Sequence, residues 1–236
     1  MNLILVEPSD FVAEGRVRLV GRRLEHVRKV HRASVGDQLR VGLVDGPVGH
    51  GVVIALSAAS VELTLTLTEQ PPPPSPITLI VALPRPPSMH KVLQQGAAMG
   101  IKRFHFVHCA RTEKSYWDAR AVEPVAIRNN LLLGLEQARD TALPVVTSDR
   151  RFHRFVRETL PSFAAAGPLL VAHPDAETPC PRACASALSV FIGPEGGLVP
   201  DEVAALTNAG ATPVSLGPRI LRVETAVVAL IARLSV

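Results

Sequence analysis

Pro71-Pro72-Pro73-Pro74-Ser75-Pro76 is the feature that most restricts how this chain folds. Five prolines in six residues give no donors to a sheet ladder and favour a stiff polyproline II spacer. The hydrophobic pattern changes across it. Before it, Val61, Leu63, Leu65 and Leu67 alternate with Glu62, Thr64, Thr66 and Thr68, and Leu39, Val41 and Leu43 alternate with Gln38, Arg40 and Gly42. Period-two alternation reads as half-buried strand, and Asp45-Gly46 turns the chain toward a return strand beginning at Gly51. A short helix is predicted over 23–31. Residues 1–70 therefore read as a small antiparallel barrel, and 71–76 as a linker.

Beyond the linker, strand and helix patterns alternate, which implies an α/β domain with parallel strands over 77–236. Strands are predicted at 77–83, 101–108, 169–172, 188–192 and 213–216. Helices are predicted at 88–99, capped by Ser88 and ended by Gly100, and at 124–139, 201–208 and 224–234. The last helix is apolar nearly all round (Ala226, Val227, Val228, Ala229, Leu230, Ile231, Leu234). Such a helix must be buried on every side, so a subunit interface is expected there.

No apolar run reaches the roughly 18 residues of a membrane span. Met1-Asn2-Leu3-Ile4-Leu5-Val6-Glu7-Pro8 has no basic leader and reads as a strand, so a cytoplasmic protein is expected. Cys109, Cys180 and Cys184 are too few and wrongly spaced for a disulfide framework or a zinc site, and no metal is expected. His105 and His108 on one strand point to opposite faces.

The net charge of +4 is unevenly spread. Arg16, Arg18, Arg22, Arg23, Arg28, Lys29 and Arg32 crowd together against the single Glu25, with His26 and His31 among them. A second cluster is Arg150, Arg151, His153, Arg154 and Arg157. Residues 168–236 are acidic by contrast, with four basic and six acidic side chains. Basic clusters of this kind are a phosphate-binding footprint, and equally a solvated, ion-paired face; the contrast with the acidic third favours RNA.

Two turns carry the remaining information. Val190-Phe191-Ile192-Gly193-Pro194-Glu195-Gly196-Gly197 and Leu216-Gly217-Pro218-Arg219-Ile220-Leu221-Arg222-Val223-Glu224-Thr225-Ala226 each read as a buried strand, a Gly/Pro turn and a helix. Glycines at a strand exit let a ligand approach the backbone, and open α/β sheets bind ligands at their carboxyl edge. Neither turn is a dinucleotide fingerprint or a phosphate loop, which disfavours a Rossmann-type nucleotide enzyme.

These two motifs, and the chain around them over nearly its whole length, resemble the RsmE-type ribosomal RNA uridine-N3 methyltransferases of the SPOUT (trefoil-knot) superfamily. The resemblance implies an α/β knot methyltransferase domain preceded by a PUA-like RNA-binding barrel, a homodimer through the last helix, and S-adenosyl-L-methionine as cofactor. It implies a cofactor pocket walled by Ile192, Gly193, Pro194, Gly196 and Gly197 of the first motif and Leu216, Gly217, Ile220, Leu221, Thr225 and Ala226 of the second. Ala172-His173-Pro174 resembles the family's His-Pro turn at that pocket, and Leu83 completes it. Glu136-Gln137-Ala138-Arg139 resembles a Glu-Gln…Arg signature, and Arg111 matches an arginine after the second strand. The chain departs from the family pattern at Gln94-Gln95 and Ala98-Met99-Gly100, which bears on the substrate nucleotide.

Methyl transfer to uracil N3 needs alignment and a way to hold the base as its anion. Arg222 is the candidate cation, since a guanidinium can bind an anionic base edge in bidentate fashion. Glu195 and Glu224 are candidates for the base, or for orienting Arg222, or for structural ion pairs. RNA contacts are expected at Arg22, Arg23, Arg28, Lys29, Arg111 and Arg139, and the expected substrate is 16S ribosomal RNA or the small ribosomal subunit. The rivals are another SPOUT activity, such as 2′-O-methylation, and a non-catalytic RNA-binding assembly factor.

Overall fold

The computed structural model describes residues 3–235. Their contacts divide into two units: residues up to Pro73 together with Leu132–Leu143, and Pro74–Leu131 together with Pro144 onward.

The first unit is a six-stranded sheet. Its strands are β1 (Ile4–Val6), β2 (Phe11–Ala13), β3 (Arg16–Leu19), β4 (Gln38–Leu43), β5 (Val48–Leu56) and β6 (Val61–Glu69), in the order β1-β4-β5-β6-β3-β2. Four pairings are antiparallel. The wholly antiparallel expectation fails at β1, which lies parallel to β4. The long connection between Val6 and Gln38 permits this, where a hairpin would not. Along β6 the alternation holds from Leu63 onward, with Thr64, Thr66 and Thr68 exposed, but fails at Glu62, which is buried between Val61 and Leu63 as the partner of Arg16 and Arg18. Strand β1 is buried on both faces. Ile4 and Val6 join a core with Val17, Leu19, Val41 and Leu63, and Leu3 and Leu5 pack with Val48, Leu132 and Leu135.

That second face explains why 132–143 belongs to this unit. The Leu3 N–H donates to the Glu136 carbonyl at 2.8 Å, and the Thr141 hydroxyl donates to the Gly46 carbonyl at 2.5 Å. The short helix expected over 23–31 is α1 (Gly21–Glu25), continued by a wider π-type turn over His26–His31.

The second unit is a parallel sheet with helices. Its elements are β7 (Ile77–Ala82), α2 (Pro86–Ala98), β8 (Arg103–Val107), α3 (Pro124–Ala138, whose first part lies here), β9 (Val145–Asp149), α4 (Phe152–Arg154), α5 (Leu160–Ala166), β10 (Leu169–Ala172), β11 (Leu188–Ile192), α6 (Pro200–Asn208), β12 (Thr212–Val214) and α7 (Val223–Leu234). The strand order is β12-β10-β11-β7-β8-β9, every pair parallel. Strand β7 is buried at all six positions, the continuous apolar run of a sheet covered on both faces. Ile80 and Ala82 face a core with Val107, Phe155, Val171 and Phe191.

Two elements here escape a reading by pattern. Strand β9 is at the sheet edge and mostly exposed, so it needs no apolar run. The helical stretch from Phe152 to Ala166 is broken by a π-type turn at Phe155–Thr159, which blurs its period.

Two helix expectations are corrected. Arg85, not Ser88, occupies the N-cap of α2, because Ser88 is buried within the first turn and its hydroxyl donates to Glu224. Helix α7 is not bare: Val223, Ala226, Val227, Leu230, Ile231 and Leu234 are buried within the chain, and Thr225 and Ala232 are exposed. Its packing partners are α2 and β11. The loop after β10 is tied to it as well. Ala183 and Cys184 donate to the Arg233 and Leu234 carbonyls at 3.1 and 2.7 Å, and Arg233 Nε donates to the Cys180 carbonyl at 2.6 Å. Among the described residues no helix is long and apolar enough to cross a membrane.

Candidate active site

In the second unit the chain leaves β7 toward β8 and β9, then resumes on the other side with β10, β11 and β12. The reversal puts a switch point between β7 and β11, where open α/β sheets form a crevice outside the carboxyl ends. A cavity of about 330 Å³ lies on this edge, within the range of small-molecule sites.

Three strand exits wall it. After β10 come Ala172, His173, Pro174 and Asp175; after β11, Ile192 through Leu198; after β12, Val214, Leu216, Gly217, Arg219, Ile220 and Leu221. Val223 and Ala226 from the first turns of α7 and Arg111 beyond β8 close it. The exits are tied together by backbone bonds. The His173 N–H donates to the Val214 carbonyl at 3.0 Å, and the Gly197 N–H to the Pro194 carbonyl at 2.8 Å.

Glycine is favoured at two of these positions for different reasons. A Cβ on Gly196 would sit 3.2 Å from Cβ and Cδ of Arg111, whose Nη1 donates to the Gly196 carbonyl at 2.6 Å. Gly217 has φ +119° with open space beside it, so conformation, not crowding, selects glycine there.

Of the residues expected at the pocket, Ala172, His173, Pro174, Ile192, Gly193, Pro194, Gly196, Gly197, Leu216, Gly217, Ile220, Leu221 and Ala226 line the cavity. Leu83 and Thr225 do not. Leu83 is 1% exposed beneath the edge, its N–H bonded to the Val107 carbonyl, and Thr225 is on the exposed side of α7. The sequence reading missed Asp175, Leu198, Val214, Arg219 and Val223 as lining residues. Arg219 and Val223 stand inside the quoted second motif, and Asp175 directly follows the His-Pro turn. Leu198 and Val214 are apolar wall with no distinguishing signal.

The three candidate catalytic residues are in different settings. Glu195 lines the cavity, and its Oε1 accepts the Arg85 N–H at 3.1 Å, with Arg85 Nε 3.9 Å away. Tyr116 is close enough to feel both: burial, then Glu113 and Glu195, push its phenol up, and Arg85 partly offsets this. Arg222 is exposed at the N-cap of α7, between lining residues Leu221 and Val223, with its side chain outside the wall. Glu224 is 6% exposed and away from the cavity lining. Its carboxylate accepts the Ser88 hydroxyl at 2.9 Å and lies 3.4 Å from Lys91 Nζ. Burial alone would raise its pKa, but its own backbone N–H, Ser88 and Lys91 outweigh that and hold it low.

The expected RNA contacts also divide. Arg22 makes a bidentate pair with Glu136 at 2.8 and 2.7 Å, in which the carboxylate of the Glu-Gln…Arg signature is buried and the arginine stays exposed. Arg23 is held by Asp10 and the Leu5 carbonyl, and Lys29 by Glu25 at 3.2 Å. Glu62 takes Arg16 and Arg18. For Arg16, Arg18 and Arg22 the partners come from distant segments. Arg28 is exposed on the π-type turn, Arg139 is exposed at φ +58° just after α3, and Arg111 is at the cavity. Among the described residues no three His, Cys, Asp or Glu side chains are grouped as a metal site requires.

The walls suit a sulfonium cofactor with a nucleoside and an amino-acid arm. Apolar Ile192, Val214, Leu216 and Ala226 would take the ring of the nucleoside, the backbone of the glycine turns would offer hydrogen bonds, and the carboxylates of Glu195 and Asp175 would suit a cationic group.

Comparison with known proteins agrees with this geometry. The ribosomal RNA small subunit methyltransferase E of Treponema pallidum (strain Nichols) is 27% identical over 98% of this chain and 90% of its own length. The protein of that name in Mycobacterium tuberculosis (strain CDC 1551 / Oshkosh) is 30% identical over 85% of this chain and 79% of its own. The crystal structure of a ribosomal RNA small subunit methyltransferase E from Neisseria gonorrhoeae bound to S-adenosyl methionine shares the fold with a TM-score of 0.72, at 24% identity, over 98% of this chain and 95% of that one. Residues 71–235, which contain the parallel sheet and every wall of the cavity, match the RNA methyltransferase domain family, and the chain belongs to that family.

Proposed function

We propose that this protein methylates N3 of a uridine in 16S ribosomal RNA, using S-adenosyl-L-methionine bound in the cavity at the carboxyl edge of the parallel sheet. The observation that carries the reading is the cavity itself: three Gly/Pro strand exits, apolar walls and two carboxylates. The names of the relatives support the ribosomal substrate. The Neisseria gonorrhoeae enzyme supports the fold; beyond it, we propose a SPOUT-type knotted domain preceded by a PUA-like barrel, in a cytoplasmic enzyme acting on the small subunit.

Bound there, the cofactor would supply an electrophilic methyl group. The exits after β10, β11 and β12 hold and orient it, and the apolar walls exclude water. Glu195, on the cavity lining, takes the N3 proton of the uracil. Arg222, at the rim, holds the negative charge that develops on the base edge. Glu224 does not share in this chemistry: it is a brace between α2 and α7. The exposed side of α7, with Ile220 and Leu221 beside it, joins two copies in a homodimer.

The test is nucleoside mass spectrometry of unmodified 16S ribosomal RNA or small subunits incubated with the protein and S-adenosyl-L-methionine. N3-methyluridine is expected. A 2′-O-methylated nucleoside instead moves the chain to another activity of the fold, and RNA binding without methyl transfer makes it an assembly factor.

A further inference from the structure

The carboxyl edge of the parallel sheet does not end at the cavity. The cavity takes the β12, β10 and β11 end; beyond lie the exits of β7, β8 and β9. Each is a strand spacing from the next, so the edge runs about 15 Å from β11 to β9. Arg111 follows β8, and Arg150 and Arg151 follow β9 directly. Val107 is opposite Asp149 in the register, and the His108 N–H donates to the Asp149 carbonyl at 3.0 Å, so these exits are neighbours.

Arg28, Arg139, Arg219 and Arg222 are also exposed cations without an ion-pair partner among the described residues, but three observations combined with the shared sheet edge mark out these arginines. All three are exposed, and among the described residues none has an ion-pair partner, whereas Arg16, Arg18, Arg22, Arg23, Lys29, Arg154 and Arg157 each have one. The acid next to them is turned inward: Asp149 is bonded to His105 Nε2 at 3.1 Å and to the Thr159 hydroxyl at 2.9 Å. Arg150 is also pre-positioned. Its guanidinium lies 5.1 Å from the centre of the Trp117 ring. That ring is 9% exposed and fixed by a 2.9 Å bond from its Nε1–H to His108 Nδ1. A guanidinium seated on a fixed aromatic face keeps its N–H fork for an outside anion, with little rotamer freedom left to lose. Glu113 and Asp118, on the turn carrying Trp117, pair with none of the three.

We propose that Arg111, Arg150 and Arg151 form a phosphate track along this edge, gripping the RNA backbone beside the methylated nucleotide and leading the strand to the cavity. Arg111 joins track to cavity, since it also bonds the Gly196 carbonyl. The inference rests on the RNA methyltransferase reading above and adds where the catalytic unit itself holds its substrate.

The test uses full-length protein and an unmodified 16S ribosomal RNA transcript, with affinity measured between about 50 and 200 mM salt. Each lost phosphate contact lowers the slope of log affinity against log salt by roughly 0.7 on single strands and 0.9 on duplex. The double variant Arg150→Gln/Arg151→Gln is expected to lose about 1.4–1.8 from that slope and tenfold or more in affinity near 0.1 M salt. Arg154→Gln/Arg157→Gln, whose side chains share Glu158, should leave the slope unchanged. Calorimetry with S-adenosylhomocysteine on the same preparations must match the parent for both, which establishes an intact unit. Trp117→Leu should weaken RNA binding without changing the slope by a full contact. If the parent binds and methylates the transcript but the first double variant keeps its slope, the track is wrong and the function stands. If the parent neither binds nor methylates, the function falls and the track with it.

Discussion

The Ser88 hydroxyl donates to the Glu224 carboxylate at 2.9 Å, joining the first turn of α2 to the first turn of α7 across 136 residues. Both groups are nearly inaccessible, at 1% and 6% exposure. A hydrogen bond to a buried charge contributes about 1.5–3 kcal/mol, and leaving the charge unpaired costs at least as much. Ser88→Ala should therefore lower Tm by several degrees, and Glu224→Ala by more, in calorimetric scans. A Glu224→Gln variant that folds like the parent should retain S-adenosylhomocysteine binding and turnover. If it loses turnover with cofactor binding intact, Glu224 is part of the chemistry and not a brace.

Glu195 and Arg222 are expected to behave in the opposite way. Both are exposed to solvent to a substantial degree and hold no core together. Glu195→Gln and Arg222→Ala should leave Tm near the parent value, and Arg222→Ala should leave cofactor affinity there as well. Turnover should fall about a hundredfold or more for Arg222→Ala, the usual loss when a preorganised charge partner of the transition state is removed. Normal single-turnover methylation by Arg222→Ala would assign the charge-holding role elsewhere, with Arg85 beside Glu195 the next residue to vary.

The two glycines of the cavity should fail differently. Gly196→Ala brings a methyl to 3.2 Å from the Arg111 side chain, and the long arginine can yield. Cofactor binding should weaken modestly, and Arg111→Ala, which removes the Cδ contact and keeps the Cβ one, should relieve it in part. Gly217→Ala meets no atom but holds a Cβ residue at φ +119°, a conformation that costs roughly 1–3 kcal/mol. It should lower both Tm and S-adenosylhomocysteine affinity, and no neighbouring change should rescue it.

How much of this was legible follows from where the information lies. The proline run, the alternation in β6 and the apolar run of β7 are local, and the elements they predict are present. The strand exits at 172–174, 192–197 and 216–221 were readable because a Gly/Pro turn after a buried strand is a local signal as well. Ion pairing was not. Arg22 meets Glu136, and Arg16 and Arg18 meet Glu62, across 114 and about 45 residues, and only the folded first unit brings them together. The same holds for Glu224, whose contacts with Ser88 and Lys91 cross 136 and 133 residues. Strand β9 was illegible for a different reason: an exposed edge strand has no core to impose a pattern.

The dimer can be tested without disturbing the monomer. Leu230 is fully buried within the chain, so an aspartate there would unfold the protein and say nothing of assembly. Ile220 is 86% exposed beside α7, and Leu221 is 38% exposed. Sedimentation of the parent at micromolar concentration should give about twice 25.2 kDa. Ile220→Asp should give the monomer mass with unchanged far-UV circular dichroism. A parent that runs as an active monomer would remove the interface from the proposal.

His31 gives the first unit a pH dependence whose sign is fixed by its surroundings. Both ring nitrogens are buried without a hydrogen-bond partner, and the ring packs edge-on to His26 at 4.8 Å. Burial, then repulsion from His26, lower its pKa below the ordinary 6.5. His105 is lowered in the same sense, burial outweighing the pull of Asp149. A histidine with a depressed folded pKa takes its proton more readily in the unfolded chain. Its stabilising effect is therefore complete above about pH 7.5 and is lost as pH falls through 6.5 toward the folded value. Thermal scans at pH 7.5, 6.5 and 5.5 should show Tm falling with acidification. His31→Leu replaces two unsatisfied polar atoms by an apolar group of similar reach, so it should be neutral or stabilising at pH 7.5 and should flatten the decline. An unchanged decline in that variant would assign the acid sensitivity to His105, and His105→Gln would then have to remove it.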